Sequence, residues 1–426
     1  MKVKIEPGKA NGRAIVPPSK SISHRYLILS AFAEGESTIE NISVSDDIRA
    51  TSECLDAFIE GSKDYDPDEF NIRKDDNGAT FVDGAIELDC HESGSTLRFM
   101  IPMVLLTDRA CVFTGRGKLL ERPLDEYEEL CREKGMIFAK GSEAVLVKGR
   151  LIPGEYRLRG DTSSQFASGL LMALPLLEGD STIVFTKKAE SRSYIDITMD
   201  AVNSFGGSVN WVDDQTISIK GGAHYTAKDL CVEGDHSQAA FLEALNVAGG
   251  NVEIEGLRMD SFQGDRVYKE LFEKLREGYC SIDVTDCPDL APILFTVASF
   301  CHGASFTGTR RLRLKESDRV LCVKEELSKF GVRMNCREDS VEVEPCSIEK
   351  MRAAAAKMEA AGTALYGHND HRIVMSLAVL LTLTGGMIEG AEAVRKSYPT
   401  FFNVLSSLGI ECSLASEVWE QIGETL

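Results

Sequence analysis

The sequence predicts a mixed α/β protein made of two similar α/β domains. One observation behind this is a unit that recurs six times: an amphipathic helix, a glycine, then a strand. The six helix ends are Cys54–Gly61, Leu130–Gly135, Val202–Gly206, Leu275–Gly278, Leu327–Gly331 and Leu405–Gly409, with their glycines 74, 71, 72, 53 and 78 residues apart. The second observation is their grouping. Three copies end before residue 220 and three begin after 260, so the chain reads as two repeated halves. A length of 426 residues agrees, being too long for one small core and suggesting two or three domains.

Each element has a local reason. Met1–Pro7 alternates in polarity as a strand does. Glycine suits the position after a helix because a left-handed backbone is favoured there. The stretches that follow, such as Ser208–Val212 and Val332–Cys336, have strand character. Helix starts are marked as well: Asp46-Asp47 and Ser317-Asp318 supply capping and first-turn acids, and Pro123 suits a first helical turn. Pro399 follows Lys396-Ser397 in the same manner. Lys220–Asp235 is the expected crossover between the halves.

Composition narrows the function. A hydrophobic content of 43% and a charged content of 27% are ordinary for a globular enzyme. The net charge of −20 argues against nucleic acid or an anionic membrane as partner. No run approaches the ~20 apolar residues of a membrane span. The twelve cysteines include no CxxC pair, which argues against zinc or a redox dithiol and suits buried thiols in a reducing compartment. The first residues show neither an apolar signal core nor an Arg/Ser-rich transit stretch. A cytoplasmic soluble enzyme with no cofactor and no metal is the expectation; a monomer is expected too, though composition does not give the oligomeric state. His368 and His371 are three apart, but no Cys or acidic partner completes a recognised zinc spacing.

Against this acidic background, five segments concentrate cations: Pro17–Arg25, Leu120–Leu124, Arg313–Arg319, Asn369–Arg372 and Arg395–Pro399. They fall at or just before helix starts, where free N–H groups and the helix dipole favour an anion. Cations there oppose the dipole, and an incoming anion would reconcile the two. Lys20, Ser21 and Arg25 suit phosphate and carboxylate. In Glu92–Arg98, Gly94 lets backbone approach a ligand closely. Ser163, Ser164 and Gln165 offer hydroxyls and an amide before an apolar helix. Asp289 lies just ahead of the apolar run Pro292–Phe295. Lys315 and Arg319, four apart, are expected to share a helix face.

Taken in order from residue 17 to about 400, these motifs resemble the EPSP synthases, the 3-phosphoshikimate 1-carboxyvinyltransferases. The resemblance implies two inside-out α/β domains, each of three βαβαββ-type units, with the active site in the interdomain cleft. The domains would be 1–18 plus 232–426, and 19–231. It implies transfer of the enolpyruvyl group of phosphoenolpyruvate to the 5-hydroxyl of shikimate 3-phosphate by addition and elimination, in a family targeted by glyphosate. Lys20, Ser21, Arg25, Ser163, Ser164, Gln165, Ser191, Tyr194, Asp289 and Lys315 would hold shikimate 3-phosphate. Lys20, Gly94, Arg122, Gln165, Arg319, Arg372 and Lys396 would hold phosphoenolpyruvate, with His371 nearby. Asp289 would accept the hydroxyl proton, Glu316 would serve the methylene carbon, and Lys20 would touch both substrates.

Three positions depart from the family pattern. Glu92 stands where Asn is usual, Ser95 where Thr is usual, and Arg311 where Asn is frequent, so Arg311 is kept only as a possible ligand. The related UDP-N-acetylglucosamine enolpyruvyl transferases are the rival, but they carry Lys-Asn where this chain has Lys20-Ser21. They also have a reactive Cys that the Arg122-Pro123 region lacks. An anion-binding module without turnover is the other alternative, and the presence of both Asp289 and Glu316 argues against it.

Overall fold

The computed structural model describes residues 1–63, 65, 71–74 and 80–414. The chain divides into two compact units, one of Met1–Pro17 with Gly234–Leu426 and one of Pro18–Glu233.

In the unit Pro18–Glu233 the α-helices are α1 (Lys20–Ala31), α2 (Asp46–Gly61), α3 (Gly94–Val104), α4 (Asp125–Glu133), α5 (Ser164–Ala173) and α6 (Arg192–Ser204). Two four-stranded sheets share one wiring. A strand, Ile86–Asp89, leads through α3 to a parallel neighbour, Cys111–Thr114. The chain then passes through α4 into the hairpin Ile137–Lys140 and Ala144–Lys148, whose second strand pairs antiparallel with Cys111–Thr114. Glu155–Leu158, α5, Ser181–Phe185, α6, Val209–Trp211 and Thr216–Ile219 repeat this order. Two-stranded pairs, Asn71–Lys74 with Thr80–Asp83 and Ile39–Glu40 with Leu230–Cys231, complete it.

The other unit holds α7 (His236–Val247), α8 (Tyr268–Glu277), α9 (Ala291–Phe300), α10 (Arg319–Ser328), α11 (Ile348–Ala360), α12 (His371–Thr384) and α13 (Phe401–Ser407). Cys280–Asp283, α9, Ala304–Thr307, α10 and the hairpin Met334–Cys336/Ser340–Val343 follow the same wiring. The last repeat is completed from the far end of the chain. Leu365–Tyr366, α12, Gly386–Glu389, α13 and Cys412–Leu414 lack one hairpin strand, and the N-terminal Lys2–Ile5 fills its place between Gly386–Glu389 and Cys412–Leu414. That alternating N-terminal strand is therefore structural, with Val3 and Ile5 facing the core.

Helices form the interior of each unit. Every residue of α3 except Ser95 is buried, as are nine of the ten residues of α9. A helix that is apolar on all sides has to be covered all round. Here α3 packs on α5, α5 on α6, and α9 on α12, while the strands alternate buried and open positions. Gly169 is what lets α5 lie so near α3. A Cβ there would fall 2.6 Å from the Arg98 carbonyl and 2.5 Å from the Tyr127 hydroxyl.

Four of the six repeat glycines have the expected left-handed backbone: Gly135, Gly206, Gly331 and Gly409, with φ of 71°, 97°, 81° and 87°. Two do not. Gly61 is the last helical residue of α2, and Gly278 is extended at φ 167°. Gly278 also precedes the first strand of a repeat and not a hairpin. The spacing of 53 residues to Gly331 is short by that missing hairpin.

Candidate active site

Within Pro18–Glu233, the predicted residues gather around the starts of α1, α3, α5 and α6. The Lys20 ammonium pairs with Asp47 of α2 at 2.6 Å. Arg25, 2% exposed, donates to the Thr198 and Ser168 hydroxyls at 2.7 and 3.1 Å and to the carbonyls of Ser21 and Tyr194 at 2.6 and 3.0 Å. Burial disfavours its charge and pushes its pKa down to about 9, and these acceptors with the Phe99 ring at 4.9 Å offset only part of that cost. Arg25 thus ties Ser21 of α1 to Tyr194 of α6. Ser191, buried, precedes α6 with a left-handed φ of 55°.

The start of α3 is the focus of a second cluster. Ser93 caps it by accepting from the Thr96 amide at 3.2 Å, which leaves Gly94 as the first helical residue. Gln165 donates to Ser95 Oγ at 2.9 Å and accepts from Arg98 Nη1 at 2.8 Å; the Ser163 hydroxyl is 3.5 Å from its Oε1. Ser163 also accepts from the Gln165 amide, and Ser164 opens α5. Arg122 comes up against the same glycine: a Cβ on Gly94 would lie 2.6 Å from Arg122 Nη1 and 3.2 Å from Arg98 Nη1. Its Nε is buried without a hydrogen-bond partner. Pro123 is not in a first helical turn, because Arg122 closes a short 3-10 turn, Leu119–Glu121, and α4 begins at Asp125 after Leu124. Glu92 lies over Gly117, where a Cβ would be 3.1 Å from its carboxyl carbon.

Arg98 escaped the sequence reading, although it was legible as a cation inside the apolar run Leu97–Val104. It is 6% exposed and also donates to the Pro123 carbonyl at 2.9 Å. Gly94→Ala is expected to push aside the Arg122 and Arg98 guanidiniums that its Cβ would meet, lowering stability by up to roughly 1–3 kcal/mol from overpacking. Gly94 has an ordinary helical backbone, so no backbone strain adds to that cost; a melting curve checks it.

The other unit carries a charge cluster centred on Arg319, which is 1% exposed. Its guanidinium spans three carboxylates: Asp370 at 2.9 Å, Asp289 at 2.9 Å and Glu316 at 2.8 Å. Arg372 grips Asp289 from the other side at 2.7 Å and the Ser237 hydroxyl at 3.1 Å. Lys315 approaches Asp289 at 3.7 Å. Lys396, 8% exposed, donates to the Asn369 carbonyl at 2.7 Å. Asp370 caps α12 through the Arg372 amide at 2.9 Å, and His371, buried, follows it.

One expectation about this segment is corrected. Lys315 and Arg319 do not share a helix face, because α10 begins at Arg319 and Lys315 is extended after a 3-10 turn, Arg310–Leu314. They converge on Asp289 instead. Arg311 is turned to backbone, donating to the Thr285 carbonyl at 2.8 Å.

Burial alone would raise the pKa of Asp289, but Arg372, Lys315 and Arg319 outweigh it and hold the carboxyl far below its usual range. Burial pushes the Lys315 ammonium down to about 8; Asp289 opposes the shift and Arg319 adds to it. Burial works against Arg319, yet Asp370, Glu316 and Asp289 keep it firmly charged. Among the described residues, Glu325, Glu326 and His368 bring three ligand-type atoms within 4.8 Å of one another; Lys329 already neutralises Glu326, and His371 is not part of that group. No described helix is long and apolar enough to cross a membrane.

Residues 5–405 match the family described as EPSP synthase (3-phosphoshikimate 1-carboxyvinyltransferase). A 3-phosphoshikimate 1-carboxyvinyltransferase of Clostridium botulinum is 37% identical, covering 95% of this chain and 97% of its own. The Clostridium acetobutylicum protein of that name is 38% identical, covering 96% and 97%. A solved EPSP synthase structure from Acinetobacter baumannii shares the fold, with a TM-score of 0.71 at 24% identity over 97% of this chain and all of that one. With a family match spanning nearly the whole sequence and relatives this similar end to end, the chain belongs to the EPSP synthase family.

Proposed function

We propose that this protein transfers the enolpyruvyl group of phosphoenolpyruvate to the 5-hydroxyl of shikimate 3-phosphate, releasing inorganic phosphate. The observation that carries the reading is the cluster in which Asp289 and Glu316 sit among Arg319, Arg372 and Lys315. The reaction needs a proton acceptor, a proton donor and cations for two anionic substrates, and these groups supply all three.

In the addition step Asp289 takes the 5-hydroxyl proton, the oxygen bonds to C2 of phosphoenolpyruvate, and Glu316 delivers a proton to the methylene carbon. The tetrahedral adduct then breaks its C2–O bond to phosphate and returns a methyl proton to the Glu316 carboxylate, which restores the double bond. Arg122, Arg319, Arg372, Lys396 and Lys20 neutralise phosphoenolpyruvate, with Gly94 and Gln165 against it. Ser21, Arg25, Ser163, Ser164, Gln165, Ser191, Tyr194, Lys315 and Lys20 hold the acceptor. Arginine suits planar carboxylate and phosphate bidentately, and lysine adds a point charge.

Arg372, Lys315 and Arg319 hold the Asp289 carboxyl below its usual range, which weakens it as a base while they stay on it. Substrate anions that draw Arg319 and Arg372 onto themselves remove the groups that hold its pKa down, so binding and base activation become one event. The reading takes the domains as 1–18 with 232–426 and 19–231, a division the two compact units support. It extends to a monomer in the cytoplasm, with twelve free cysteines fitting a reducing compartment.

Phosphate release from phosphoenolpyruvate, measured with shikimate 3-phosphate and with UDP-N-acetylglucosamine, tests the reading. Release with the first acceptor, accompanied by an enolpyruvyl ether in the mass spectrum, is expected. Release only with the second would replace this reading with the rival transferase.

A further inference from the structure

Helix α10 carries two grips on the loop that precedes α12. Arg319 and Glu326 are seven residues apart, two helical turns, and so lie on one face. Arg319 holds Asp370 at 2.9 Å. Glu326, fully buried, accepts from the Tyr366 amide at 3.0 Å, faces His368 Nε2 at 3.0 Å, and pairs with Lys329 at 2.7 Å. Cys322 stands one turn before Glu326 on the same helix.

The gripped backbone is strained. His368 and Asn369 have φ of 50° and 52°, a left-handed conformation that residues with side chains rarely adopt. The strain has a local result: the Asn369 carbonyl meets Lys396 at 2.7 Å, and Asp370 meets Arg319, Ser317 and the Arg372 amide. Two left-handed residues in a row have to be held in place, and the His368–Glu326 contact is the hold on the first of them.

We propose that Glu326 and His368 are positioning residues, a second staple that keeps Asn369 and Asp370 where they set Lys396, Arg319 and Arg372. Neither is placed against a substrate. The inference rests on the assignment of those cations to phosphoenolpyruvate made above.

The groups facing His368 are Glu326, Cys322, the Tyr366 ring at 4.8 Å, neighbouring Glu325, and Lys329 through Glu326. Burial would lower the His368 pKa, but Cys322 and Glu326 outweigh it and raise it from 6.5 to about 9. A raised pKa means the staple is fully present below pH 6.5 and is lost as pH rises through about 9.

His368→Asn is the cleanest variant, because asparagine tolerates the left-handed backbone while the imidazolium is removed. The KM for phosphoenolpyruvate should rise about tenfold or more, with the KM for shikimate 3-phosphate and the melting temperature nearly unchanged. In the wild type the KM for phosphoenolpyruvate should climb as pH passes 9, and the variant should lack that climb relative to its own baseline. Glu326→Gln should give the same split between the two KM values with a lower melting temperature. Hydrogen exchange at the Asp370 amide, bonded to the Gly367 carbonyl at 2.9 Å, should speed up in both variants. An unchanged phosphoenolpyruvate KM in His368→Asn, or both KM values moving together with stability, would overturn the staple while leaving the function intact. A wild type inactive on these substrates would sink the function instead, and the exchange rates would then decide the staple alone: unchanged exchange in His368→Asn overturns it.

Discussion

Asp289→Asn is expected to lower kcat roughly 10²–10⁴-fold, the usual contribution of a positioned acid or base. The geometry makes this substitution more than the loss of a proton acceptor. Asp289 touches Arg319, Arg372 and Lys315, so an amide there leaves three cations with one fewer anion among them. Binding of anionic substrates should therefore hold or tighten while turnover collapses. The pairing of a low kcat with an undiminished affinity for phosphoenolpyruvate separates a catalytic role from a structural one. Near-normal kcat would remove Asp289 from the chemistry.

Arg319→Met is expected to show the largest loss of stability. The guanidinium is almost wholly buried and bridges Asp370, Asp289 and Glu316, and Asp370 is itself fully buried. Removing one partner from a buried ion pair typically costs ~3–5 kcal/mol, because the remaining charge has lost its compensation. For a unit of this size that corresponds to a fall in Tm of roughly 10 °C. Arg319→Lys should recover part of the stability but little of the activity, since an ammonium cannot span three carboxylates as a planar fork does. Calorimetry of the two variants checks the first statement and phosphate release the second. A melting temperature within about 2 °C of wild type in Arg319→Met would mean that the three carboxylates are satisfied in some other way.

How much of this was legible in the sequence depended on the length scale of the signal. Helix ends and starts are local, so the repeat was readable from Gly135, Gly206, Gly331 and Gly409, and Asp318 caps α10 through the Leu321 amide as its position suggested. The pairing of Lys2–Ile5 with strands almost 400 residues away has no local signal. The motifs identified the cations but not their resting partners. Lys20 meets Asp47, and Arg319 meets Asp370, through tertiary packing that no spacing rule encodes. Lys315 was misplaced for a related reason: a 3-10 turn at Arg310–Leu314 delays the helix until Arg319, and i, i+4 reasoning fails before a helix has begun. Arg98 was missed because its role comes from Gln165 on another helix, 67 residues away.

The mechanism depends most on a transfer of charge: the arginines that hold Asp289 acidic turn to substrate anions and release it. Infrared difference spectroscopy between wild type and Asp289→Asn, titrated from pH 8 down to 4 with and without shikimate 3-phosphate and the non-reacting analogue glyphosate, observes that carboxyl directly. In the empty protein Asp289 should remain ionised throughout the titration, since Arg372, Lys315 and Arg319 hold its pKa far below the usual range. With both ligands bound its midpoint should move up into the titrated window. A carboxylate signal identical in the two states, ionised to the acid end with ligands in place, would contradict the account.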